Sequence, residues 1–165
     1  MIIKGKVHKY RDNINTDEII PARYLSTTDP AELGKHCLED LDENFVKKVR
    51  KGDILVAGKN FGCGSSREHA VISLKAAGVA AVVAESYARI FFRNAINTGL
   101  PVFVSTETAK IKNGDVIAID ARAGSIKNLS TGATHAAEPL PPFVQKIIGS
   151  GGLISYVRKK KIPAD

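Results

Sequence analysis

The residues best suited to chemistry lie in a glycine-rich segment, residues 58–70, with the sequence GKNFGCGSSREHA. Ser65, Ser66 and Arg67 follow three glycines there, so two hydroxyls and a guanidinium stand beside backbone that a ligand can approach closely. Arginine presents a planar fork of donors that suits a carboxylate or a phosphate. If a helix follows the loop, its first N–H groups carry the positive end of the helix dipole. The segment therefore predicts an anion site, and a carboxylate fits its residue types.

The same residues have a structural alternative. Ser65 followed by Glu68 matches a capping box, in which a serine side chain caps the first turn of a helix and stabilises it by ~0.5–2 kcal/mol. On this alternative the loop begins a helix and does no chemistry. A phosphate-binding P-loop is disfavoured, because Gly58 and Gly62 are not followed by the Lys-Ser or Lys-Thr pair that a P-loop needs. Nucleotide binding is therefore not expected.

A strand–helix–strand–helix–strand series surrounds this loop. Short apolar runs predict strands buried on both faces, and apolar residues at helical spacing predict the helices between them. Gly78 ends the first of these helices. The series predicts an α/β domain whose sheet is at least partly parallel. The predicted strands are residues 54–57, 79–84 and 100–104, and the predicted helices contain residues 70–77 and 86–97.

The N-terminal part of the chain predicts a strand followed by a polar loop. Residues 2–10 alternate in polarity as a half-buried strand does. Residues 11–28 hold small polar side chains that favour turns, and we expect a loop there. Asp29 as N-cap and Pro30 at the first helical position then begin a short helix.

The C-terminal third has a different pattern. The Asn113–Gly114 pair, flanked by apolar residues, predicts a hairpin, and further turns beyond it predict small antiparallel strands. A terminal helix begins at residues 141–144 and is interrupted at residues 149–152. The basic run at residues 158–161 is expected to be a solvated, frayed tail.

Composition limits the class of protein. The chain has 165 residues, 44% of them hydrophobic and 25% charged, which predicts one globular domain over residues 1–165. The net charge of +7 comes mostly from the C-terminal third, and few aromatic residues accompany the basic ones, so nucleic-acid binding is not expected. The longest apolar run is far shorter than the ~20 residues of a membrane-spanning helix, so membrane insertion is not expected. The first residues lack the apolar segment of a secretory signal, and we expect a cytoplasmic protein.

Two cysteines, Cys37 and Cys63, limit the metal chemistry. A [4Fe-4S] cluster usually takes four thiolates, and a structural zinc ion takes four Cys or His ligands. We therefore expect no metal bound by this chain alone, and any cluster that the chemistry needs must come from another chain. Cys37 is interpreted as a packing residue and Cys63 as a small residue of the glycine-rich loop.

Three ordered motifs carry a resemblance that covers most of the chain. Residues 58–70 resemble the signature of the swivel domain of the aconitase superfamily, and residues 12–21 (DNINTDEIIP) and 86–97 (SYARIFFRNAIN) agree with it. As a free-standing chain, it resembles the short type of small subunit that isopropylmalate dehydratases share with archaeal homoaconitases. The resemblance implies a single three-layered domain, a swivelling β/β/α fold, that closes over a [4Fe-4S] cluster held by a separate large subunit. It also implies a hydro-lyase that isomerises 2-isopropylmalate to 3-isopropylmalate in leucine biosynthesis.

The same resemblance implies roles for individual residues. Ser65 is the base that removes a proton next to a carboxylate, and Ser66 and Arg67 bind a substrate carboxylate. The cluster iron of the large subunit takes the departing hydroxyl. A serine is a weak base, so this role requires preorganised N–H donors and a guanidinium in a closed, dry site. The residues expected to support the loop are Thr16, Asp17, Gly62, Cys63 and Gly64.

Ser26 and Thr27 lie where the resemblance places the substrate-sorting position. An arginine there suits the third carboxylate of homoaconitate-type substrates, and an apolar residue suits an isopropyl group. Ser26 offers no charge, so isopropylmalate is favoured, while a homoaconitase or a methylmalate-type hydro-lyase remains an alternative. A function of another class also remains open, namely a carboxylate-binding module that does no chemistry. Arg89 and Arg93, spaced i, i+4 on the predicted helix, face either a partner or solvent.

Overall fold

The computed structural model describes residues 1–161, which form a mixed β-sheet with helices. The strands are β1 (Ile2–Lys9), β2 (Ile54–Val56), β3 (Ala81–Ala84), β4 (Val102–Val104), β5 (Val116–Asp120), β6 (Ser125–Asn128) and β7 (Thr134–Ala136). The helices are α1 (Thr16–Ile19), α2 (Pro30–Lys35), α3 (Phe45–Lys48), α4 (Glu68–Ala77), α5 (Arg89–Asn97), α6 (Pro142–Gly149) and α7 (Leu153–Lys161). Short 3₁₀ turns lie at Ala22–Tyr24 and Thr108–Lys110.

The sheet has the strand order β4-β3-β2-β1-β5-β6-β7. Strands β1 to β4 pair in parallel, as the strand–helix alternation predicted. Strands β5, β6 and β7 add an antiparallel half. β1 joins the two halves, because it pairs in parallel with β2 at Val7 and antiparallel with β5 at Gly5.

Two hydrophobic cores lie on the two faces of the parallel strands. Leu55 of β2 belongs to the core shared with α2, α4 and α5. Its neighbours Ile54 and Val56 belong to the other core, which also contains Ile117 of β5 and Ile148 of α6. The antiparallel strands therefore pack across the face of the parallel strands that the first helices do not cover. This arrangement confirms the predicted three-layered β/β/α fold and the strands buried on both faces.

The prediction of a loop over residues 11–28 was wrong, because α1 and a 3₁₀ turn form within it. Asn15 caps α1 through a complete capping box: its side chain accepts from the Glu18 N–H at 3.0 Å, and the Glu18 carboxylate accepts from the Asn15 N–H at 3.3 Å. Ile19 and Ile20 at the end of α1 are fully buried, which stabilises a helix too short to form alone. The predicted start of α2 at Asp29 is confirmed, since the Asp29 carboxylate accepts from the Ala31 N–H.

The prediction of a hairpin at Asn113–Gly114 was also wrong. The pair does form a tight turn, with Gly114 at φ +87°, but the turn connects a 3₁₀ turn to β5. The Gly114 N–H donates to the carbonyl of Val7, and β5 pairs with β1 and β6. The predicted small antiparallel strands are confirmed as β5, β6 and β7.

The predicted interruption of the terminal helix is confirmed by the break between α6 and α7. The basic run at residues 158–161 lies in α7, so the expected frayed tail was wrong, although residues 158–160 are exposed as expected. Over residues 1–161, no helix combines the length and the apolar character needed to cross a membrane.

Candidate active site

The three motif segments follow the carboxyl ends of β1, β2 and β3, and they continue to pair beyond the strands. The Asn13 N–H donates to the Lys59 carbonyl at 2.8 Å, and the Gly62 N–H donates to the Ile14 carbonyl at 2.8 Å. On the other side, the Ala88 N–H donates to the Phe61 carbonyl at 2.9 Å. Ligands of α/β sheets bind at this edge, outside the carboxyl ends of the strands. Segments that are far apart in sequence therefore form one surface.

A close approach between the first two segments requires Gly58. The Asp12 carboxylate accepts from the Lys59 N–H at 2.7 Å and lies directly over Gly58. A Cβ at Gly58 would lie 1.6 Å from Asp12 Oδ1, so no larger residue fits. The glycine therefore allows the first loop to pack on the glycine-rich loop.

Thr16 fixes the backbone of Ser65. The Thr16 hydroxyl donates to the Ser65 carbonyl at 2.7 Å, and the Thr16 N–H donates to the Cys63 carbonyl at 2.9 Å. Thr16 is almost fully buried, whereas Ser65 and Ser66 are exposed. Neither serine hydroxyl hydrogen-bonds to any other residue within 1–161, so both are available to a ligand. The expected supporting role of Thr16 has a physical basis in these two bonds.

The capping-box alternative for Ser65 was wrong. Helix α4 begins at Glu68, and its N-cap is Arg67, whose backbone is extended and whose side chain makes no capping bond. Ser65 lies two residues before the N-cap, so its side chain does not cap the helix. The first N–H groups of α4 therefore lack a side-chain partner, and they create a positive electrostatic potential at the end of the loop.

The Arg67 guanidinium is paired with the carboxylate of Asp17 on α1. The Arg67 side chain is 17% exposed, whereas that of Asp17 is 60% exposed. Nη1 of Arg67 is buried, and its contact with Asp17 is ionic without hydrogen-bond geometry. Asp17 contacts only Nη1, so the remaining N–H donors of the guanidinium have capacity for a further anion.

A cleft of about 190 Å³ opens beside these residues. Its walls come from Thr16 of the first motif, from the glycine-rich loop and from the first turn of α5. The N-cap of α5 is Ala88, which has no side-chain oxygen to accept from the first N–H groups of the helix. Phe91 of α5 packs against Gly62, where a Cβ would lie 2.2 Å from the ring. The cleft is lined by Thr16, Gly62, Gly64, Ser66, Arg67 and residues 88–91. Sequence patterns did not predict the contribution of α5, for which the only signal was the third motif.

Ser26 and Thr27 do not line this cleft. They follow a turn in which Tyr24 stacks on His36, with ring centroids 3.8 Å apart, and donates to the Glu39 carboxylate at 2.7 Å. The Thr27 hydroxyl accepts from the Asp29 N–H at 3.1 Å. The segment is thus held at both ends, but within this chain it does not meet Ser65.

The cysteines do not form a metal site. Cys37 lies just after α2 in the core, where burial raises the pKa of its thiol to about 12, in agreement with the predicted packing role. Cys63 is half-buried, and its backbone bridges to that of Asn15, as expected for a loop residue. Across residues 1–161, no three His, Cys, Asp or Glu side chains come together as ligands. The residues present therefore do not fit a [4Fe-4S] cluster.

Comparison with known proteins agrees with this geometry. The chain matches the aconitase C-terminal domain family over residues 2–107. It is 62% identical over 161 residues to the 3-isopropylmalate dehydratase small subunit of Moorella thermoacetica, covering 97% of each chain. It is 60% identical over 159 residues to that of Ruminiclostridium cellulolyticum, covering 96% of this chain and 98% of the relative. The crystal structure of 3-isopropylmalate dehydratase (leuD) from Methanocaldococcus jannaschii superposes with a TM-score of 0.94 at 49% identity, covering 98% of this chain and 96% of that one.

The three-layered fold and the three-loop site define a domain of the aconitase type. The chain belongs to the aconitase C-terminal domain family and, within it, to the 3-isopropylmalate dehydratase small subunits. The resemblance carried by the three motifs is thereby confirmed.

Proposed function

We propose that this chain acts as the small subunit of a 3-isopropylmalate dehydratase in the cytoplasm. The enzyme is a hydro-lyase that converts 2-isopropylmalate into 3-isopropylmalate in leucine biosynthesis. The observation that carries the proposal is that Ser66 and Arg67 line a cleft at the carboxyl ends of three parallel strands, with exposed Ser65 next to them in the same loop. The names of relatives that match over nearly their full length support it.

Arg67 and Ser66 bind one carboxylate of the substrate. Asp17 lies against one nitrogen of the guanidinium and leaves its other donors for a ligand. Arginine–carboxylate bonds are charge-assisted and fix the orientation of the carboxylate plane. The uncapped first turn of α4 adds a positive potential at the same place.

Ser65 reacts as an alkoxide, stabilised by the Arg67 guanidinium and the N–H donors of the loop, and becomes a neutral hydroxyl when it accepts the proton from the carbon next to a bound carboxylate. Breaking that C–H bond places negative charge on the carbon and on the neighbouring carboxylate, where donors already in place stabilise it most effectively. The bond from Thr16 fixes the Ser65 backbone, so the hydroxyl keeps its direction through the reaction. Loss of hydroxide completes dehydration, and addition of water at the adjacent carbon yields the isomer.

The site on this chain is half of an active site. A cleft of about 190 Å³ is smaller than the ~300–1,000 Å³ pockets that enclose small ligands, and Ser65 is exposed to water. A weak base such as serine needs a dry site. A large subunit supplies the missing walls in this proposal, and it also holds the [4Fe-4S] cluster, for which residues 1–161 of this chain bring no ligand set together.

Isopropylmalate is the proposed substrate, in preference to homoaconitate. Ser26 and Thr27 offer no positive charge for a third carboxylate, although they lie outside the cleft of this chain. A mixture of this chain with a cluster-loaded large subunit of 3-isopropylmalate dehydratase tests the proposal. We expect conversion of 2-isopropylmalate in the mixture and in neither chain alone, with a higher kcat/KM than for homoaconitate. A complex that forms but converts no hydroxy acid would overturn it and favour the carboxylate-binding module.

A further inference from the structure

We propose that an exposed apolar face on α6 and α7 docks onto the large subunit, where that subunit presents apolar side chains bordered by carboxylates. The face, here called the docking face, consists of Phe143, Leu153, Ile154 and Val157. This inference rests on the proposed function, because the large subunit is the partner that completes the active site there.

The docking face exposes large apolar side chains side by side. Ile154 is 70% exposed and Phe143 is 57% exposed, while Leu153 and Val157 are each 37% exposed. Residues 153, 154 and 157 share one side of α7, because positions three and four apart are neighbours on a helix. The Phe143 ring packs edge-on against Tyr156 of α7 with centroids 5.6 Å apart, which joins the two helices into one surface. Contiguous exposed apolar side chains of this kind mark an interaction site.

The docking face is continuous with the cleft that the large subunit closes. Ile90 lines the cleft, and exposed Arg93 and Asn97 follow it along the same side of α5. Gly152 packs on the far end of that helix, where a Cβ would lie 2.4 Å from the Asn97 carbonyl oxygen. Helix α7 begins at the next residue, Leu153. A subunit that covers the cleft therefore reaches the docking face across one nine-residue helix, about 13 Å long.

The charge around the docking face favours an acidic partner. Helices α5, α6 and α7 contain no acidic residue, whereas exposed Arg158, Lys159 and Lys160 directly follow the apolar residues of α7. None of these three cations forms an ion pair within residues 1–161. A second copy of the chain would bring like charges together, which disfavours self-association through this face. Carboxylates around an apolar centre give a partner the complementary charge.

The first test compares Ile154→Gln with the control Leu129→Gln in calorimetric titrations with the cluster-loaded large subunit. Both variants replace an exposed aliphatic side chain by a polar one, but Leu129 follows β6 in the antiparallel half of the sheet. We expect Ile154→Gln to weaken the affinity between the subunits by at least about tenfold, because a buried apolar contact is lost. Leu129→Gln should stay within about twofold of the wild type.

A second pair of variants tests the charge of the partner. Lys159→Gln removes a cation beside the docking face, and Lys127→Gln removes an exposed cation from β6. We expect Lys159→Gln to weaken assembly by about threefold at low salt, and this difference should shrink as salt screens the charges. Lys127→Gln should have no effect at either salt concentration. Unchanged affinity of Lys159→Gln at low salt would refute the carboxylate border.

Unchanged affinity of Ile154→Gln for the large subunit would overturn the inference, whatever the turnover of the complex. Self-association of this chain alone that Ile154→Gln abolishes, with no change in affinity for the large subunit, would assign the docking face to a second copy and overturn it as well. A tight wild-type complex that does not convert 2-isopropylmalate would refute the proposed function, while the ratio of dissociation constants still decides the docking. A wild-type chain that binds no large subunit would overturn both.

Discussion

The hydroxyl of Thr16 donates a 2.7 Å hydrogen bond to the carbonyl of Ser65, across 49 positions of sequence. Thr16 is the first residue of α1, a helix that the Asn15–Glu18 capping box holds in place. The backbone of the exposed serine is therefore fixed by a buried residue of a different loop. This bond makes α1 part of the candidate active site, although no residue of the helix is proposed to react.

Replacing Thr16 by valine tests this support. Thr16→Val keeps the buried shape but removes the donor, and the Ser65 carbonyl loses its partner at a cost of about 1 kcal/mol. We expect kcat of the assembled enzyme to fall by about tenfold with little change in KM, because Arg67 and Ser66 still bind the carboxylate. Thr16→Ser retains the donor and should keep most of the activity. Equal activity of the valine and serine variants would show that the bond does not position Ser65.

Gly62 is expected to tolerate no side chain. Its φ is +81°, and a Cβ there would lie 2.2 Å from the Phe91 ring. Gly62→Ala should destabilise the fold by ~2–5 kcal/mol, combining backbone strain with overpacking. Gly114→Ala is the matched control, since its φ is +87° but nothing lies within 4 Å of the added Cβ. It should cost only ~1–2 kcal/mol in urea unfolding. Equal losses for the two variants would contradict the close packing of α5 on the loop.

The contacts of the Glu107 carboxylate predict that the free energy of unfolding depends on pH. Its carboxylate accepts from the Ala136 N–H at 2.6 Å and contacts Lys110 and His135, and these contacts lower its pKa from 4.5 to about 2. A carboxyl with a lowered folded-state pKa stabilises the fold above the unfolded-state pKa, and the contribution is lost as pH falls toward the folded-state value. We therefore expect the difference in unfolding free energy between wild type and Glu107→Gln to be constant above pH 4.5 and to shrink between pH 4.5 and 2.

The control for this prediction is Glu138→Gln, which removes the same charge from an exposed side chain that makes no hydrogen bond within residues 1–161. Its unfolding free energy should follow that of the wild type more closely over the same acidic range. A wild-type advantage over Glu107→Gln that persists unchanged down to pH 2 would contradict the assigned contacts.

Local signals predicted much of the fold. The buried strands β2, β3 and β4 are visible as short apolar runs, and α2 begins where Asp29 and Pro30 indicate. The residues proposed to react and to bind substrate were also identifiable from the sequence, because Ser65, Ser66 and Arg67 are contiguous in one glycine-rich segment. Each of these features depends on neighbours within a few positions, which the sequence displays directly.

The features that sequence patterns missed depend on distant contacts. Asn15 and Ser65 both precede a glutamate by three positions, yet only Asn15 forms a capping box. The bond from Thr16 holds the backbone of Ser65 outside the helix, and nothing local to Ser65 indicates it. The turn at Gly114 was predicted, but its strand pairs with β1 more than 100 positions away. Arg89 enters the cleft only because three loops pair side by side.

The role of Ser65 as the base is tested most directly by the Ser65→Ala variant in the assembled enzyme. Ser65 is exposed and its hydroxyl makes no hydrogen bond within residues 1–161, so the variant should fold and bind the large subunit normally. We expect kcat for 2-isopropylmalate to fall by ~10²–10⁴-fold with nearly unchanged substrate affinity, since a positioned base contributes about this much. Ser66→Ala should instead act mainly through KM. Near-wild-type turnover of Ser65→Ala in a fully assembled complex would show that Ser65 is not the base.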